Sequence, residues 1–216
     1  MHIVSAQVGK PRRIQWNGEE ITTGIFKLPV AGRVPVRRLN LDGDAQADLR
    51  VHGGVKKAVY AYPSEHYPFW RDALPGTELP WGAFGENFTT TGVDEDSVHI
   101  GDAFRFGSAL LRVTQPRFPC YKLGAKFQDD GIIKRFLHSG RSGFYFEVLE
   151  GGEAGAGDAI VLVEADLHRV RVADIVSLET NRKNDSALLR RAIAVPALSD
   201  GWKHSFTERL AKLSRR

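Results

Sequence analysis

The chain is poor in cysteine: Cys120 is the only one among 216 residues. A single thiol excludes an intrachain disulfide, a four-cysteine zinc site and an iron–sulfur cluster held by four thiolates of one chain. Any redox chemistry must then run through an organic or single-metal cofactor. Long apolar runs are missing too, and nothing approaches the roughly 18–20 residues of a membrane span. The start, Met1-His2-Ile3-Val4-Ser5-Ala6, lacks a basic segment followed by an apolar one, so no signal peptide is expected and a cytoplasmic location is. No Gly-x-Gly-x-x-Gly opens a helix and no glycine-rich loop ends in Gly-Lys-Ser/Thr, which argues against dinucleotide and NTP sites. With 42% hydrophobic and 26% charged residues, the composition is that of a folded chain, not a disordered one.

Glycine and charge change at one place. Of 22 glycines, only Gly201 lies beyond residue 166, and residues 167–216 carry 11 Lys/Arg against 5 Asp/Glu. Residues 1–166 carry 19 against 21. Two independent shifts at one point predict a boundary, with one domain over 1–166 and a second over 167–216. The basic tail suits a solvated helical surface or an acidic partner protein. It has no aromatic-stacking motif, which argues against RNA binding.

The first part reads as short strands separated by turns. Ile3–Val8 ends at Gly9, Ala58–Tyr62 ends at Pro63, and Arg33–Val36 contains Pro35, which places it at an edge or strand start. Gly101-Asp102 and Gly157-Asp158 each turn into a strand, and Gly107-Ser108 predicts a hairpin from 103–106 to 109–114. Strands at this density point to a mainly β fold, a barrel or sandwich, with few helices. Ser64 predicts a helix to about Leu74, and Asp129 or Asp130 one carrying Ile132, Ile133, Phe136 and Leu137. Beyond residue 170 the spacing predicts three short amphipathic helices. They carry Val172, Ile175, Val176 and Leu178; then Leu188, Leu189, Ala192 and Ile193; then Trp202, Phe206, Leu210 and Leu213. Alone they bury too little to be stable, so a small bundle against the β body is expected.

Four segments carry candidate chemistry. In Gln115-Pro116-Arg117-Phe118-Pro119-Cys120-Tyr121-Lys122, the prolines set a non-helical approach and two cations flank the thiol. Such cations favour a thiolate, as a metal ligand or nucleophile needs, although free cysteine is also a common buried hydrophobe. In His52-Gly53-Gly54-Val55-Lys56-Lys57, the glycines allow close backbone approach to an anion with lysines nearby, or the segment is a plain loop. Gly85-Glu86-Asn87 is expected to expose Glu86 and Asn87 side by side, or to be a capped turn. Ser139-Gly140-Arg141-Ser142-Gly143 offers Arg141 to a phosphate, or is a surface hairpin. Phe118, Tyr121, Tyr145 and Trp81 are stacking walls or core.

In this order the segments resemble the MOSC-domain family, named for the C-terminal domain of molybdenum cofactor sulfurases. The resemblance rests on His52-Gly53-Gly54 with Lys57-Ala58-Val59, Gly85-Glu86-Asn87, Gly101-Asp102, Pro116-Arg117-Phe118-Pro119-Cys120 and Ser139-Gly140-Arg141-Ser142-Gly143. The tail is similar to the three-helix extension of the YiiM-like branch, tied to resistance to 6-N-hydroxylaminopurine. The resemblance implies a compact β-barrel binding a molybdenum cofactor of the molybdopterin form, with Cys120 as the thiolate ligand. Soft thiolate donors suit such a metal. The resemblance further implies reduction of N-hydroxylated bases by oxygen removal.

Its pterin ends in a phosphate, for which Arg117, Lys56, Lys57 and Arg141 are candidates, with Lys122, Gly53 and Gly54 beside them. His52 and Asn87 are candidates to read the pterin or hold the substrate, and His52 also to relay a proton. With no flavin or iron–sulfur motif, electrons are expected from a separate flavoprotein or haem protein, which the basic tail would dock. A homodimer is compatible with the sequence, and no membrane contact is expected. The alternative is a non-catalytic carrier of cofactor or of a persulfide on Cys120. A cysteine hydrolase with His52 as base lacks a recognisable oxyanion loop.

Overall fold

A computed structural model describes residues 1–47 and 53–215; His52 lies outside the described residues. The strands are β1 (His2–Val8), β2 (Arg12–Trp16), β3 (Glu19–Thr23), β4 (Leu28–Pro29), β5 (Arg33–Val36), β6 (Val59–Pro63), β7 (Phe88–Thr91), β8 (Ala103–Phe106), β9 (Ala109–Pro116), β10 (Phe144–Glu150), β11 (Gly152–Gly155) and β12 (Ile160–Glu164). Eight of them form one sheet in the order β12-β8-β9-β10-β6-β7-β1-β4. Every pairing is antiparallel except β6 with β7. Strand β5 with its Pro35 pairs with β11 in a two-stranded sheet, an edge position that tolerates a missing N–H. The Gly107-Ser108 turn joins β8 to β9 as its residues predict.

The mainly β expectation holds, but the large sheet is not closed into a continuous barrel among the described residues. Its ends meet only locally: His2 bridges Ala159, and Ile160 N donates to Met1 O at 3.0 Å. Beyond Ile160, β12 pairs with β8 and exposes Val161, Leu162 and Val163.

The helices are α1 (Tyr67–Ala73), α2 (Tyr121–Phe127), α3 (Gly131–Ser139), α4 (Val172–Glu179), α5 (Ser186–Ala194) and α6 (Asp200–Leu213). Pro68 sits in the first turn of α1, where its missing N–H costs nothing, and a 3-10 turn over Ser64–His66 leads in. Asp185 caps α5 by accepting from Leu188 N at 2.9 Å. Among the described residues no helix is long and apolar enough to cross a membrane.

Two cores result. One joins the sheet to the C-terminal helices, with Ile3, Phe106, Phe146, Ile175, Leu189 and Phe206 in one cluster. The other is aromatic and lies under α1, α2 and α3, built from Tyr62, Tyr67, Trp70, Phe84 and Phe136. The candidate site lies over the second.

Candidate functional site

Strand β9 ends at Pro116, and α2 begins at Tyr121. Between them Arg117–Cys120 runs without regular structure, as two prolines in five residues dictate. Cys120 is the extended residue entering α2 and is half-buried. It opens into a small cleft of about 90 Å³, whose lining includes Lys27, Lys57, Tyr60, Asn87, Arg117, Phe118, Lys122 and Tyr145. The described lining holds four cations and no carboxylate.

The structure thus brings together predicted residues from three segments that lie far apart in the chain: Lys57, Asn87, and Arg117 with Cys120 and Lys122. Arg117 is 6% exposed, so it sits under the cleft floor and not in its mouth. Its guanidinium carbon lies 5.0 Å from the Phe136 ring centre and 5.5 Å from that of Tyr60. Its Nη1 is buried without a hydrogen-bond partner among the described residues. Burial alone would lower its pKa, but the negative charge that Tyr60, Tyr145 and Cys120 carry when ionised raises it on balance. Burial lowers Lys57, opposed by the charge of Cys120. Burial also raises the Tyr60 and Tyr145 hydroxyls, leaving them neutral beside the guanidinium.

Asn87 lines the cleft, yet its amide serves the scaffold. Its Oδ1 accepts from Tyr60 N at 3.1 Å and its Nδ2 donates to Asp44 Oδ2 at 2.9 Å. Asp44 in turn ion-pairs with Lys27, and both side chains are nearly solvent-free. Glu86 is the opposite of the exposed side chain its turn suggests. It is fully buried and accepts from Gly82 N (2.8 Å), Phe84 N (3.0 Å), Thr89 Oγ1 (3.0 Å) and the Tyr67 hydroxyl. A carboxylate that gathers so many donors while fully buried builds the turn and is not presented to a ligand.

Other candidates sit elsewhere. Lys56 Nζ donates to both Glu147 oxygens at 3.1 Å. Gly53 and Gly54 precede the short turn that carries Lys57, outside the described cleft lining. Arg141 stacks on Phe69 at 3.9 Å and lines a separate cleft with His66 and Glu95, near acidic side chains. Gly143, two residues on, has a packing reason: at φ +60°, a Cβ there would lie 2.5 Å from Ala61 O. Of the aromatic candidates, Phe118 and Tyr145 line the main cleft; Tyr121 is exposed, and Trp81 packs edge-on against Tyr67 at 4.5 Å. Sequence reasoning missed Lys27 and Tyr60. Nothing in Phe26-Lys27-Leu28-Pro29 marks a buried lysine, whereas the alternation of β6 does set Tyr60 and Tyr62 on one side.

The family model described as MOSC domain matches residues 48–161, and one described as YiiM-like, 3-alpha helix domain matches residues 172–213. A Bacillus subtilis protein, uncharacterized protein YflK, is 38% identical over 211 residues, covering 98% of this chain and 95% of that one. A protein named reductase from Gibberella moniliformis is 35% identical over 182 residues, which is 83% of this chain but 32% of that longer one. The crystal structure of YiiM from Geobacillus stearothermophilus superposes with a TM-score of 0.81 at 37% identity, covering 97% of this chain and 98% of that one.

Proposed function

The chain belongs to the MOSC-domain family in its YiiM-like form, and from that premise we propose a MOSC-type oxidoreductase. Its reaction is the removal of oxygen from N-hydroxylated compounds, such as 6-N-hydroxylaminopurine, with a molybdenum–pterin cofactor. The observation that carries this reading is Cys120 opening into a cleft with four cations and no carboxylate among its described lining residues. That donor set fits a soft metal on the thiolate and a phosphate-bearing pterin around it.

When bound, the cofactor supplies the oxygen transfer: an N–OH group takes up two electrons and two protons and becomes N–H and water. The protein's own residues bind and orient. Cys120 offers the thiolate, and Lys57 and Lys122 meet anionic oxygens at the cleft wall. Arg117 adds fixed positive charge from beneath the floor, where low dielectric strengthens its effect on the thiolate. Asn87 keeps Asp44 and Tyr60 in place. Phe118 and Tyr145 give a planar base two flat faces. His52, outside the described residues, is proposed to read the pterin, hold the substrate or relay a proton. Electrons come from a separate flavoprotein or haem protein.

The test is metal and pterin content of protein made in a cofactor-competent host, for wild type and Cys120→Ser. Near-stoichiometric molybdenum in the wild type, lost in Cys120→Ser, is the expected result. An absence of molybdenum from both would overturn the reading and favour a persulfide carrier on Cys120.

A further inference from the structure

Phe118 lies two residues before Cys120 and forms part of the cleft wall. It belongs to the stretch between β9 and α2 that has neither strand nor helix to hold it. Arg117 is anchored among the aromatic rings of the floor, and its N–H donates to Gly143 O at 3.2 Å. Phe118 instead faces the C-terminal helices. Its ring centre is 4.9 Å from that of Trp202, tilted by 54°. Trp202 stands in the first turn of α6, and its ring continues to Phe206 at 5.3 Å. Phe206 is fully buried in the core shared by sheet and helices. A chain of three rings therefore runs from that core to the wall of the cleft.

We propose that Trp202 is a positioning residue of the cleft: through Phe118 it sets the wall beside Cys120, making the helical extension part of the site. A phenyl ring on an irregular segment would otherwise swing, and a ring backed by a second ring presents a fixed flat face. For its consequence on a planar substrate, the inference rests on the oxidoreductase reading. Its consequence for access to the thiol does not.

The test uses Trp202→Ala and Trp202→Phe in the full chain. Because Cys120 is the only cysteine, alkylation reports on it alone. The rate ratio of a bulky aromatic maleimide to iodoacetamide is measured in each protein under native conditions. Trp202→Ala is expected to raise the ratio by a factor of about 2–10, the worth of one aromatic contact, and Trp202→Phe to restore it. In molybdenum-loaded protein, Trp202→Ala should raise KM for the N-hydroxylated purine by a similar factor with kcat little changed. A lowered melting temperature with an unchanged alkylation ratio overturns the inference, whatever the molybdenum content. A changed ratio in protein that holds no molybdenum leaves the inference standing and overturns the functional reading.

Discussion

Among the described residues Lys126 has no carboxylate within hydrogen-bond reach, and it is deep enough that this matters. Its Nζ donates to Gly82 O at 2.7 Å and Ile25 O at 3.2 Å, tying the segment beside the cleft to the turn built by Glu86. Burial brings its pKa down to about 7; Glu86 opposes the shift, while Arg117, Lys27 and Arg12 add to it. The unfolded lysine keeps its ordinary value of 10.5. Between those values the unfolded chain binds a proton that the folded chain does not, so this residue makes stability rise with pH across that window. Below the folded value the ammonium is charged in the fold and its desolvation cost is complete. The stability difference between wild type and Lys126→Met should thus shift in favour of wild type from pH 6.5 to pH 9, read by urea unfolding. A difference equal at both pH values would sink the argument. None of this is legible in Lys122-Leu123-Gly124-Ala125-Lys126, because burial of a lysine is decided by what packs over it from elsewhere. Cys120 stands out in the sequence for the converse reason, being one thiol that follows two prolines and lies between two cations.

Elements divide along the same line. Helices α3, α4, α5 and α6 announce themselves by apolar spacing and the residues before them, and the β8–β9 hairpin by its Gly-Ser turn. Helix α2 was missed because Pro116 and Pro119 read as extended chain, and the helix starts only once both are past. The β2–β3 hairpin was missed although Asn17-Gly18 marks it. Both residues have positive φ, 51° and 81°, the backbone of a two-residue hairpin turn whose twist matches its strands. That hairpin feeds Thr23, Gly24 and Ile25 into the cleft wall. Open space surrounds Gly18, so a side chain there meets only the backbone penalty. Gly18→Ala should cost about 1 kcal/mol of unfolding free energy. Asn17→Gly should stay within ~0.5 kcal/mol, as surface changes do. Equal urea midpoints for wild type and Gly18→Ala would show that the turn does not hold this geometry. The cleft itself was not legible at this scale. Lys27, Lys57, Asn87 and Cys120 meet only because β6 lies between β7 and β10, and long-range strand order has no local signal.

At the scale of the molecule, the composition break near residue 167 marks a change of surface that the core does not follow. The matches to the MOSC and three-helix models fall on either side of it. Yet Val170, Val172, Ile175 and Leu178 are fully buried in the cluster that contains Ile3, Phe104 and Leu111. Backbone bonds seal the junction, with Ile100 N donating to Val170 O at 2.8 Å and Val172 N to Val98 O at 3.0 Å. Each such side chain contributes about 1.5–3 kcal/mol through burial, so four of them approach the whole net stability of a domain, about 5–15 kcal/mol. The sheet therefore depends on the helices, just as the helices are too short to stand without the sheet. The full chain should unfold in one transition, with far-UV circular dichroism and tryptophan fluorescence giving the same midpoint. A chain ending at residue 166 should lack a cooperative transition. Two separated transitions in the full chain, or a cooperative melt of the shortened one, would mean that the sheet carries its own core. The contact of Trp202 with Phe118 would then join two independently stable parts, and losing the helices would loosen the cleft wall without unfolding the sheet beneath it.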